Sequence, residues 1–147
     1  MSVVKKVPLV IRCDYFQSIY NDDFIKTAKA TLKHIDFDTM VGIGFSGVLA
    51  VAKLSAPLGK HGLYLRKSAE SCHAYTHEEG TIGDKWIMVD DQISSGSTFK
   101  VVYERVKALL TLRDHKSKFV GVYLYEQDEF RSIKGLQEVF ERKNIEK

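Results

Sequence analysis

Residues 86–98 read Trp-Ile-Met-Val-Asp-Asp-Gln-Ile-Ser-Ser-Gly-Ser-Thr, and no other stretch restricts the fold as much. Four apolar residues in a row suit a strand buried on both faces, as in a parallel sheet covered by helices. Two adjacent carboxylates end the run. A turn of small residues then leads to Val101, Val102, Arg105, Val106, Leu109 and Leu110, spaced as related faces of a helix. A helix that opens on bare backbone N–H groups and hydroxyls forms a cradle for an anion, phosphate above all. Gly96 lets the backbone come close to that anion. Paired carboxylates beside such a cradle suit a ribose diol, or a metal ion bridging hydroxyls and phosphate oxygens. Feature by feature, the same residues also read as a strand followed by an Asp-Ser turn that caps a helix.

The rest of the chain repeats the alternation. Residues 7–11, Val-Pro-Leu-Val-Ile, read as an opening strand, with Pro8 pushing it toward an edge. Residues 21–34 carry Phe24, Ile25, Ala28 and Leu32 at helical spacing, with Asn21 and Asp22 as cap chemistry. A strand over 40–45 runs into a glycine-studded turn at 42–47, and a short helix over 48–55 is ended by Pro57 and Gly59. Residues 62–65 and 119–125 are further strands, and an amphipathic helix is expected from Gly135 onward. Residues 67–84 show no apolar periodicity, and a stretch that long without structure is usually functional or mobile. Strands alternating with helices predict an α/β fold, an open, mainly parallel sheet flanked by helices. Ligands of such sheets sit beyond the carboxyl ends of the strands. The loops after Ile43, Leu65 and Val89 all leave that edge.

Length and charge narrow the function classes. At 147 residues the chain suits one domain over 1–147 with a core of its own. A net charge of +3 is spread along the sequence, and Arg142 and Lys143 alternate with Glu141 and Glu146 as on a solvated helix face. Nucleic acid is therefore not expected as a partner, while a phosphorylated small molecule suits the mild excess. There is no membrane span and no secretory leader pattern, so the expectation is a cytoplasmic protein. Cys13 and Cys72 then read as free thiols.

Taken together, the strand, the Asp-Asp pair and the Ser-Ser-Gly-Ser-Thr turn of residues 86–98 resemble the phosphoribosyl pyrophosphate (PRPP) signature of the type I phosphoribosyltransferases. Gln92 departs from it, standing where the family usually has an apolar residue. The resemblance implies that Asp90 and Asp91 contact the ribose hydroxyls, directly or through Mg²⁺. It implies that Ser94, Ser95, Gly96, Ser97 and Thr98 wrap the 5-phosphate. Upstream, Gly44-Phe45-Ser46-Gly47 lies where the family has its pyrophosphate loop. Arg66-Lys67 resembles the start of the catalytic loop of orotate-type enzymes, and His77-Glu-Glu-Gly80 is similar to that loop's His-Gly-Glu-Gly run. Glu70 stands where those enzymes carry a further lysine. His73 and His77 occupy the same segment, although a histidine in a polar surface loop is more often simply solvated.

The chemistry implied is displacement of pyrophosphate from ribose C1 by a nucleobase. Positive charge builds on the sugar and negative charge on the leaving group, which calls for carboxylates, cations and a site closed to water. Ser94 in place of a third Asp counts against a 6-oxopurine acceptor, and Arg66-Lys67 tips the choice to an orotate-like base. Adenine is the alternative acceptor, and a non-catalytic nucleotide-sensing regulator of the same fold is the alternative function. The resemblance further implies a small hood from residues 1–16 and 123–147, and a homodimer whose catalytic loops reach into the neighbouring site. Tyr15, Phe16, Tyr123, Tyr125 and Phe130 are candidates to stack on a base, although aromatic core packing is commoner.

Overall fold

The apolar runs become neighbouring strands of a single six-stranded sheet. The computed structural model describes residues 6–11, 13–67, 78–93 and 96–134. In chain order the elements are α1 (Asp14–Tyr20), α2 (Phe24–Leu32), β1 (Thr39–Ile43), α3 (Gly44–Leu58), β2 (His61–Leu65) and β3 (Glu78–Gly80). They continue with β4 (Lys85–Asp90), α4 (Ser97–Leu112), β5 (Lys118–Leu124) and β6 (Glu129–Ser132). The strand order is β3-β2-β1-β4-β5-β6. The four central strands are parallel, and β3 and β6 add antiparallel edges. Among the described residues four helices flank this mixed sheet.

Alternation along each buried strand feeds two cores. Met40, Ile87, Val89 and Tyr123 point to the face covered by α2 and α3. Val41, Ile43, Trp86, Met88, Val122 and Leu124 point to the face covered by Phe99, Val102 and Val106 of α4. That two-sided cover is why the strands read as unbroken apolar runs. Asp128, in the turn between β5 and β6, accepts hydrogen bonds from the hydroxyls of Thr31 (2.6 Å) and Tyr123 (2.7 Å), pinning α2 to the sheet.

Several expectations need correction. Residues 7–11 are exposed and belong to none of the six strands of the sheet. The helix expected over 21–34 is α2 alone, preceded by a separate α1. Asn21 caps the end of α1, and its Oδ1 accepts the N–H of Asp23 at 2.9 Å in a turn between the two helices. Of the glycine-studded turn expected over 42–47, Gly42 and Ile43 end β1 and residues 44–47 are instead the first turn of α3. That helix runs on through Pro57 to its cap at Gly59. The irregular stretch of 67–84 ends in β3, three residues too short to show a period. β6, which pairs back on β5, carries no alternation strong enough to announce it. The helix expected from Gly135 lies outside the described residues, as do Glu70, Cys72, His73 and His77.

Candidate active site

The direction of the chain reverses between β1 and β4: from β1 it steps outward to β2 on one side and then crosses to β4 on the other. Open α/β sheets bind ligands at such a switch point, where diverging loops leave a crevice at the carboxyl edge. A cleft of about 730 Å³ opens here, lined from β1 and α3 by Ile43, Gly44, Phe45, Ser46 and Val48. From β2 and β3 it receives Tyr64, Leu65, Arg66, Lys67 and Glu79; from β4 and α4, Asp90, Asp91, Gln92 and Thr98. Tyr15 of α1 closes the rim.

Two glycines bring the walls together. A Cβ on Gly42 would stand 2.4 Å from the carbonyl oxygen of Gly47, and one on Gly47 would stand 3.2 Å from the carbonyl oxygen of Val89. Only bare backbone lets α3 start so close to β1 and β4. The approach puts the Ser46 hydroxyl 3.3 Å from Asp90 Oδ1, to which it donates. Tyr125 then donates its hydroxyl to the Ser46 carbonyl at 2.9 Å, fixing the first turn of α3. Gly47 therefore faces the sheet and does not line the cleft, whereas Phe45 and Ser46 do.

Asp90 and Asp91 differ sharply. Asp90 is 5% exposed and Asp91 is half-buried. Burial, and then the hydrogen bond and charge of neighbouring Asp91, push the Asp90 carboxyl up to about 7. The backbone N–H of Asp91 (2.9 Å) and the Ser46 hydroxyl oppose that rise without cancelling it. Glu126 is raised as well, by burial first and then by the charges of Asp91 and Asp14. One wall thus concentrates negative charge, while Arg66 and Lys67 bring positive charge from β2, two strands away and about 10 Å across the sheet.

Gly96 opens α4 with φ 82°, a conformation that favours glycine, and it is buried. Ser97 is exposed at the first turn and Thr98 faces the cleft. Ser94 and Ser95 lie outside the described residues. Arg66 pairs with Glu79 at 2.8 Å, and the stem of Lys67 lies over Gly44. Both cations line the same cleft as the acidic pair of their own chain.

Sequence reading missed Glu79 and Tyr64, because the strand pairing that brings them to the cleft left no periodic trace. Tyr123 and Tyr125 are buried core residues and Phe130 packs against the core, so among the aromatic candidates only Tyr15 reaches the cleft. Burial raises both buried tyrosine hydroxyls well above the usual range.

The described residues include no cluster of three or more His, Cys, Asp or Glu side chains arranged as a metal cage. A pair of carboxylates is nevertheless what Mg²⁺ takes from a protein when water and substrate oxygens supply the rest. A cation would also offset the burial and the neighbouring Asp91 charge that raise Asp90. The donor set fits. Among the described residues no helix is long and apolar enough to cross a membrane.

No family model matches the sequence, and no curated protein matches it. Solved structures do resemble it. UMP synthase from Leishmania donovani aligns over 89% of this chain and 32% of its own, at 17% identity and a TM-score of 0.51. Orotate phosphoribosyltransferase from Francisella tularensis aligns over 65% of this chain and 44% of its own, at 21% identity and 0.49. Adenine phosphoribosyltransferase from Thermoanaerobacter pseudethanolicus aligns over 70% of this chain and 69% of its own, at 19% identity and 0.48. The chain thus spans about a third of the UMP synthase and under half of the orotate enzyme. At these identities the likeness is one of architecture: the sheet and its four helices form the type I phosphoribosyltransferase fold.

Proposed function

We infer that this protein transfers the 5-phosphoribosyl group of PRPP to a nucleobase and releases pyrophosphate, with an orotate-like base as the favoured acceptor. The observation that carries the reading is the cleft itself. It sets Asp90 and Asp91 beside the α4 N-terminus on one side of β1, and Arg66 and Lys67 on the other. PRPP presents matching groups: a ribose diol, a 5-phosphate and a pyrophosphate carrying concentrated negative charge.

Asp91 accepts from the ribose hydroxyls, and Asp90 sits behind it. Their negative field favours the positive charge that builds on C1 as the bond to pyrophosphate breaks. The first N–H groups of α4, with Ser97 and Thr98, hold the 5-phosphate, aided by Ser94 and Ser95. Arg66 and Lys67 take the pyrophosphate, joined by Phe45 and Ser46 at the start of α3. Asp90 and Asp91 would hold Mg²⁺, directly or through water, and when bound it neutralises charge on the leaving group. The base enters past Tyr15, whose ring can lie against it. Gly47 contributes by close packing. The working unit is taken to be a homodimer, since Val7, Leu9, Val10 and Ile11 expose apolar side chains that a second copy would cover.

Incubation with labelled PRPP, Mg²⁺ and a panel of free bases tests this. Base-dependent pyrophosphate release, fastest with orotate, is the expected result, and preference for adenine would move the acceptor to the alternative. Saturable PRPP binding without release on any base would make the protein a nucleotide-sensing regulator. No PRPP binding would overturn the reading.

A further inference from the structure

Arg66 is the first residue beyond the β2 ladder, so the sheet leaves its peptide and its long side chain to be placed by other contacts. One residue of α4 reaches both the peptide of Arg66 and the strand beside it. Arg105 Nη1 donates to the Arg66 carbonyl, while its Nη2 pairs with Glu78 Oε1 at 3.1 Å. Glu78 opens β3 and sits opposite Leu65 in the antiparallel register, and Glu79 sits opposite Tyr64. Glu79 in turn pairs with the Arg66 guanidinium. Side-chain exposure is 22% for Arg105 and 18% for Glu78, well below the 35% and 51% of Arg66 and Glu79. The inner pair is thus the more shielded from water and salt.

Arg105 lies eight residues into α4, two turns or about 12 Å from the N-terminus that faces the cleft. The guanidinium presents a planar fork, and here its two arms engage two different elements, an arrangement that a single ammonium reproduces poorly. The rigid helix that opens at the anion cradle therefore also holds the peptide of Arg66 and the strand that carries its counter-ion.

We propose that Arg105 is a positioning residue for Arg66. It ties the end of β2 and the start of β3 to α4, so that the Arg66 guanidinium stands at a fixed distance from the anion cradle. Arg105 does not line the cleft; it acts through Arg66. This inference rests on the functional reading above, because it treats Arg66 as a contact to the pyrophosphate of PRPP.

A double-mutant cycle separates this from a general effect on the fold. Binding of PRPP and of inorganic pyrophosphate, each with Mg²⁺, is measured by calorimetry for the wild type, Arg105→Met, Arg66→Ala and the double variant. Arg105→Met should weaken both ligands about tenfold, the scale of one misplaced charge-assisted contact, and should do so less than about twofold once Arg66 is gone. Arg105→Lys should fall between wild type and Arg105→Met. If Arg105→Met does not fold by circular dichroism, Glu78→Gln runs the same cycle from the other arm of the fork. Equal losses with and without Arg66 would mean that Arg105 supports the fold only, and the proposal would fall while the functional reading stood. Absence of binding by the wild type would remove the functional reading and this inference together.

Discussion

Burial of Asp90 beside Asp91 works against the charged carboxylate, which is why its pKa stands at about 7 and not near 3.8. Between those values the folded protein holds a proton that the unfolded chain has released. The resulting stabilisation is complete below about pH 4 and fades as pH rises through about 7, a total on the order of 4 kcal/mol. In metal-free buffer Asp90→Asn, which has no charge to bury, should therefore melt several degrees above the wild type at pH 8 and show little of its pH dependence. With Asp91→Asn added, turnover should drop at least about a hundredfold while circular dichroism stays native. A melting point at pH 8 below that of wild type would show that the carboxylate is not held under tension by burial. Glu79 makes the complementary case. It pairs with Arg66, so Glu79→Gln should tighten pyrophosphate binding by up to about fivefold, as loss of a competing half-exposed partner allows. Unchanged or weaker affinity on titration would mean that Glu79 orients Arg66 and does not compete for it.

At the level of elements, β1 and α3 meet through bare backbone. Gly42→Ala drives a Cβ into the backbone of Gly47, where no flexible side chain can yield. Helix α3 must then lift from the sheet, separating Ser46 from Asp90 and Tyr125 from its carbonyl partner. Destabilisation of about 2–4 kcal/mol is expected, above the usual range for overpacking because the obstacle is main chain. Urea denaturation measures it, and a shift below about 1 kcal/mol would show that the joint is slack. Local pattern announced most of the elements themselves. β4 holds a continuous apolar run, β1, β2 and β5 are short mainly apolar stretches, and α2 and α4 repeat at helical spacing. The elements that escape it are β3 and β6, three and four residues long, and α1, of which only residues 14–16 fall in the expected hood. Short edge strands carry little apolar alternation because water covers part of them.

For the molecule as a whole, the open question is how copies combine. Exposed Val7, Leu9, Val10 and Ile11 predict a dimeric mass by light scattering at working concentration, and a monomeric mass would reject the homodimer. Because Arg66, Lys67, Asp90 and Asp91 line one cleft of one chain, each site should be complete within a subunit. Mixing Asp90→Asn, Asp91→Asn subunits with Arg66→Ala, Lys67→Ala subunits should then restore no activity in proven hybrids. Recovery to about a quarter, the share expected from random mixing if sites are shared, would hand the two cations to the partner's site.

By itself the sequence determined that a mainly parallel α/β sheet would form, and that Asp90-Asp91 would emerge at its carboxyl edge ahead of a small-residue turn. Both follow from local chemistry: apolar runs that must be covered on two faces, and a small-residue turn that cannot continue a strand. Position at that edge also followed for Arg66 and Lys67, since a strand end fixes where the next residue leaves. Tertiary structure alone decided that Asp90 is buried while Asp91 is not, that Gly47 serves packing, and that Glu79 meets Arg66. It alone decided that Arg105 holds the ends of β2 and β3. These depend on contacts between residues 13 to 44 positions apart, and no local pattern records which side chains such distances bring together.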